Sequence, residues 1–165
     1  MRGEIMTLRY ELPLQWGIVE FSSEVLEHFE KFKQRHFCSL EAGGQLFFTL
    51  SKDSTVTKIT DVTGPRDTDK RGRNKYVPDR AAEKVEISER YERNLHFIGD
   101  WHTHREKSPR PSPTDTTNIY DLVRLSDHDL PGFLMVIVGL SDFPFGLHVS
   151  FHSATMSYIL SPLSD

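Results

Sequence analysis

A chain of 165 residues with 37% hydrophobic and 27% charged residues is long enough to bury a real core and too apolar to be disordered. Its formal charge of -4 argues against general nucleic-acid binding, and its single cysteine, Cys38, excludes an internal disulfide framework and fits a reducing compartment. Residues 1–20 carry Glu4, Glu11 and Glu20, and the longest apolar run, Phe133 to Val138, falls far short of the roughly 20 residues that span a bilayer, so one cytoplasmic domain over 1–165 is expected, with no signal peptide or membrane anchor.

In chain order, Gln15 to Phe21 reads as a strand. Ser22 or Ser23 then caps a helix to about Arg35, with Val25, Phe29 and Phe32 on one buried stripe. Gly43 to Leu50 and the β-branched Val56 to Val62 read as strands joined by a turn at Ser51–Ser54. Thr63 to Pro78, with its prolines, glycines and charges, reads as a long loop of functional rather than connecting character. Asp79 to Asn94 is expected to be a helix, Leu95 to His102 a strand, 103–111 a loop, and Ser112 to Leu125 a helix with Ile119, Leu122 and Val123 inward. Phe133 to Leu140 is uninterruptedly apolar, as in a central strand covered on both faces. Phe145 to Phe151 alternates, which predicts a half-buried strand, and Thr155 to Leu160 an edge strand. Strands interleaved with helices give an α/β domain with a mixed sheet between helices.

Chemistry concentrates in Gly99 to Asp115, GDWHTHREKSPRPSPTD. On an extended chain His102 and His104 project to the same face with Cα atoms about 6–7 Å apart, so two imidazoles can converge on one ion. Ser108-Pro-Arg-Pro then forces a turn, and Asp115 follows on the first turn of the next helix. Two nitrogens, one carboxylate oxygen and one open position form the ligand set of a hydrolytic zinc centre. Ser-Pro-Thr-Asp reads equally well as a helix start, with Ser112 at the N-cap and Asp115 in a capping box. His148 and His152 share a parity, but about 13 Å along a strand is too far for one ion, so they read as the polar side of a half-exposed strand. The other histidines have no partner at useful spacing. Cys38 reads as small buried packing, and no base is paired with it.

His102-Thr-His104, seven residues, then Ser112-Pro-Thr-Asp115 resembles the His-x-His-x7-Ser-x2-Asp signature of the JAMM (MPN+, JAB) metalloproteases. Glu41-Ala-Gly-Gly-Gln-Leu and Gly99-Asp-Trp resemble prokaryotic members, and the likeness runs from about Phe21 to Leu140. It implies a cytidine-deaminase-like α/β sandwich and one zinc ion bound by His102, His104 and Asp115. Glu41 would be the general base and then acid, and the Ser112 hydroxyl would donate to the developing oxyanion. The reaction implied is hydrolysis of peptide or isopeptide bonds at the C-termini of ubiquitin-like proteins, and some stand-alone members of this kind sit in antiphage defence operons. The resemblance departs at Arg105, where many members carry proline.

Three other functions compete with this one. A non-catalytic MPN-fold interaction module would lack one or more ligands, and all are here. A zinc nucleobase deaminase needs His-x-Glu and Pro-Cys-x-x-Cys, which one cysteine cannot supply. A role in DNA repair is disfavoured by the net charge. Asp100 shares a parity with His102, which leaves it as a partner for that ring's second nitrogen or as a surface charge. Gly43 and Gly44 read as room for a substrate backbone or as a turn. Between Arg66 and Arg80 six basic residues face three acidic ones, and Arg71 and Arg73 are expected to engage acidic surface on a protein partner.

Overall fold

The computed structural model describes residues 6–49 and 55–164. The Ser51–Ser54 turn and Leu50 lie outside the described residues. Ten strands and three helices follow one another as β1 (Leu8–Glu11), β2 (Ile18–Phe21), α1 (Ser23–Phe32), β3 (Gly43–Thr49), β4 (Val56–Val62), β5 (Lys70–Gly72), β6 (Lys75–Val77), α2 (Arg80–Glu92), β7 (Leu95–Thr103), α3 (Pro113–Leu125), β8 (Phe133–Val138), β9 (Leu147–His152) and β10 (Ser157–Ile159). Eight of the strands form one mixed sheet in the order β1-β2-β4-β3-β7-β8-β9-β10. β7 pairs parallel with β8 and antiparallel with β3, which brings the end of the histidine strand to the middle of the sheet.

β8 explains the sandwich. Leu134, Val136 and Val138 enter a core with Val25, Leu26 and Phe29 of α1, while Phe133, Met135 and Ile137 enter a second core with Ile119 and Val123 of α3. An uninterrupted apolar run is what a strand buried on both sides requires. This architecture is the α/β sandwich expected from the sequence. No helix among the described residues is long and apolar enough to cross a membrane.

Three local expectations change. β1 pairs with β2 and was not anticipated, because Leu8–Glu11 offers only four residues of mixed polarity. The Thr63–Pro78 segment is not a free loop: β5 and β6 form a hairpin within it. Asp69 ties the segment together, accepting from the Arg66 and Asp79 amides and the Tyr76 hydroxyl, each at 2.8 Å. Arg66 completes the staple by donating to Glu86 on α2. β9 is fully buried rather than half-exposed. Its alternation is real, with Leu147, Val149 and Phe151 in the first core, but the other face carries His148, Ser150 and His152, all buried. Ser150 Oγ lies 3.1 Å from His148 Nε2 and 2.7 Å from His152 Nε2, so the three polar groups satisfy one another.

Candidate metal centre and active-site groove

The last residues of β7 alternate as the period of two dictates. Thr103 points away from the histidines and is fully buried; its hydroxyl accepts from the Ala42 amide and donates to Gln34 Oε1, both at 2.9 Å. The Thr103 amide donates to the Ala42 carbonyl at 2.9 Å. The residue between the two histidines therefore latches down the segment that carries Glu41. Gln34 extends the latch by donating to the Arg73 carbonyl at 3.1 Å.

On the opposite face His102 and His104 converge. Their Nε2 atoms are 3.2 Å apart, His102 Nε2 is 3.1 Å from Asp115 Oδ1, and His104 Nε2 is 3.1 Å from Asp115 Oδ2. Four ligands held about 2.0–2.1 Å from one ion lie about 3.3 Å from each other, so the two ring nitrogens and the carboxylate, with one donor atom from each residue within 4.8 Å of the others, have the spacing a zinc-sized site needs. The residues present fit the ion. His104 Nδ1 lies 2.9 Å from Glu106 Oε1, which fixes the tautomer that frees Nε2 as a ligand.

Both readings of Ser-Pro-Thr-Asp hold together. Ser112 caps α3, its Oγ accepting from the Asp115 amide at 3.1 Å, while Asp115 Oδ2 accepts from the Ser112 amide at 2.8 Å. The capping box thus orients the carboxylate toward the histidines. Burial opposes ionisation of Asp115, but bonds to His102 and His104 outweigh it and hold its pKa far below the usual range. For His104, burial disfavours the charged ring, and Asp115 and Glu106 more than compensate, raising its pKa.

Glu41 lines the same groove, of about 1070 Å³, as His102, His104, Ser112 and Asp115. Burial raises its pKa to about 7; the His104 ring lowers it and the Asp115 charge raises it. Its backbone is held on both sides by the hairpin: the Glu41 amide donates to the Gly72 carbonyl at 2.8 Å, and Arg71 Nε donates to the Glu41 carbonyl at 2.7 Å.

A family model described as prokaryotic homologs of the JAB domain matches residues 23–151, well over half of the chain. The chain belongs to this family. Among curated proteins, a CD-NTase/cGAS isopeptidase from Escherichia coli is 28% identical over 132 residues, 78% of this chain and 80% of its own. Another of that name from Enterobacter hormaechei is 27% identical over 99 residues, 60% of this chain; that stretch is 55% of the relative's length. The probable metalloprotease y4qB of Sinorhizobium fredii is 33% identical over 103 residues, 60% of this chain and 62% of its own. The solved structure of protein DSY2949 from Desulfitobacterium hafniense superposes with a TM-score of 0.57 at 16% identity, covering 84% of this chain and 87% of that one, which speaks to the fold alone.

Within this JAB domain several expectations are corrected. Arg71 donates to the Glu41 and Leu40 carbonyls, and the exposed Arg73 stacks 4.6 Å over the Phe37 ring, so both have partners within the chain. The space above Gly43 and Gly44 is taken by the protein itself: a Cβ on Gly43 would lie 2.5 Å from the Tyr76 ring, and one on Gly44 1.7 Å from the Thr63 carbonyl. Cys38 is exposed rather than packed, on the turn that follows α1. Asp100 makes no bond to His102, and its Oδ1 is buried without a partner. Burial, reinforced by the Glu83 charge and eased by Arg80 and Arg66, lifts its pKa to about 7. Thr103, Gln34 and Glu106 carried no sequence expectation, and Arg71 carried a different one. Only Thr103 carried a signal, since a residue between two convergent side chains on a strand must face the other way.

Proposed function

We propose that this chain is a zinc-dependent isopeptidase or peptidase that cleaves after the C-terminus of a ubiquitin-like protein, in a conjugate or a precursor. The observation that carries the reading is the triangle of His102, His104 and Asp115 donor atoms with Glu41 in the same groove. A bound Zn²⁺ would supply Lewis acidity and make water a nucleophile near neutral pH. Glu41 is the base in this reading: a half-buried carboxylate with a pKa near neutrality takes a proton and returns it to the leaving amine. The Ser112 hydroxyl accepts through its oxygen at the helix cap, so its proton remains free to be donated to a developing oxyanion. The relatives named CD-NTase/cGAS isopeptidase favour a protein conjugate as substrate, and a place in antiphage defence is the reading that the family resemblance adds. The complete donor set weighs against a non-catalytic interaction module.

Elemental analysis of protein purified without chelator tests the reading. About one zinc per chain is expected, lost in His104→Ala, and removal of the metal should abolish cleavage of a ubiquitin-like conjugate. A wild-type protein with no metal would overturn it.

A further inference from the structure

The groove does not end at the metal centre. It continues along β7 between α2 and α3, over Asp100 and Met135, with Arg80 and Glu83 on one wall and Ile119 and Leu122 on the other. Asp100 and His102 are two residues apart on one strand face, so the carboxylate sits about 6–7 Å along the groove from the first histidine. Gly99, next to it, adopts a φ of +152° where the β3–β7 register shifts, and a Cβ there would lie 1.9 Å from the Leu134 carbonyl. The shift turns Asp100 and Phe97 to the same side of the sheet.

Asp100 is left without a partner there. Among the described residues no side chain or amide hydrogen-bonds its carboxylate, and Oδ1 is shut off from solvent. Directly across the strand pair stands Gln45, whose Oε1 is likewise buried and unpartnered. Such opposed residues have Cβ atoms about 4.5–5.5 Å apart and share one side of the sheet, so each brings a buried oxygen without a donor to the same neighbourhood. The neighbouring cations are committed elsewhere: Arg80 to Glu83 at 2.9 Å, and Arg66 to Glu86, Asp69 and Thr63. A largely buried carboxylate with one oxygen lacking a donor, in a groove with an apolar wall of Ile119 and Leu122, fits a side chain with an aliphatic stem and a cationic tip.

We infer that Asp100, backed by Gln45, forms a specificity subsite that receives an arginine or lysine of the substrate two residues from the scissile bond. The residue spacing follows from matching periods: an extended substrate repeats its facing every two residues, as does β7. The stem lies on Ile119, Leu122 and Met135, and the tip donates to Asp100. This inference rests on the hydrolase reading only for the position of the scissile bond.

The test uses zinc-loaded protein and internally quenched peptides carrying arginine, citrulline, norleucine or glutamate two residues before or two residues after the bond. Citrulline keeps the shape of arginine and removes its charge. In one of the two positions arginine should exceed citrulline in kcat/KM on the order of 10–100-fold, the worth of a charged hydrogen bond. That ratio should fall to within about twofold in Asp100→Asn and be reduced in Gln45→Met. Binding of an uncleavable reduced-amide analogue, followed by calorimetry, should show the same arginine preference without turnover. If peptides are bound with that preference but none is cleaved, the subsite stands and the hydrolase reading fails. If arginine and citrulline behave alike in the wild type, a trapped water or a turned Gln45 amide satisfies the two oxygens and the inference is wrong. A ratio that survives in Asp100→Asn overturns it equally.

Discussion

Arg71 Nε donates to the main-chain carbonyl of Glu41 at 2.7 Å, so the hairpin over the groove fixes the position of the proposed base. An arginine thirty residues downstream sets where the carboxylate stands. Arg71→Ala should lower turnover about 10- to 100-fold, since a displacement near 1 Å carries costs of that order. Zinc content should stay at the wild-type level, and Arg71→Lys should recover part of the rate. A loss confined to KM would instead assign Arg71 to substrate docking.

Ser112 has an observed duty as the α3 cap and a proposed one at the oxyanion, and Ser112→Gly separates them. Glycine keeps most of an N-cap's value, losing only a few tenths of a kcal/mol, whereas alanine costs about 1 kcal/mol. Both variants should lose about 10²–10³ in turnover if the hydroxyl serves the oxyanion. Thermal melts should then separate the two while their kinetics coincide. Near-normal turnover in the glycine variant would confine Ser112 to capping.

Glu106 is placed to support a proposed ligand, His104. Its carboxylate, 2.9 Å from His104 Nδ1, fixes the ring's tautomer and raises its basicity. Glu106→Ala should weaken zinc binding about 10–100-fold in a chelator competition, with kcat near normal once zinc is saturating.

Glu41 should impose the acid limb of the pH profile. The base must be ionised, so kcat/KM should decline as pH falls through about 7, or through a lower value where a bound cation favours the carboxylate. Glu41→Gln should retain zinc and fold yet lose hydrolysis by several orders of magnitude. Persistence of both the rate and the limb in that variant would place the base elsewhere.

His148 predicts acid lability. Burial first, then the charges of His152, His102 and His104, lower its pKa to about 4, with Asp115 opposing. The unfolded chain therefore binds a proton that the folded chain refuses, and stability is full above about 6.5 and lost as pH falls toward 4. The cost is at most about 3 kcal/mol. Denaturant titrations of wild type and His148→Gln between pH 7.5 and 4.5 should diverge in slope; parallel curves would acquit His148.

The sequence by itself determined the elements with strong periodicity and picked out the candidate ligand set. β8 was legible because six consecutive apolar residues admit few other roles, and His102, His104 and Asp115 because their spacing combines a strand period with a helix start. Local rules carry both, since each depends on residues close in the chain. Only the tertiary structure decided what distant segments do to one another. It showed that Arg71 belongs to Glu41 and Thr103 to Ala42 and Gln34, and that Tyr76 fills the space above Gly43. It buried His148 and His152 on a face that alternation alone had marked as polar and exposed, because the Ser150 hydroxyl between them satisfies both rings. It also left Asp100 and Gln45 facing each other without donors. Period and spacing report which way a side chain points; burial and pairing depend on what packs against it, and that is set by contacts no window of neighbouring residues contains.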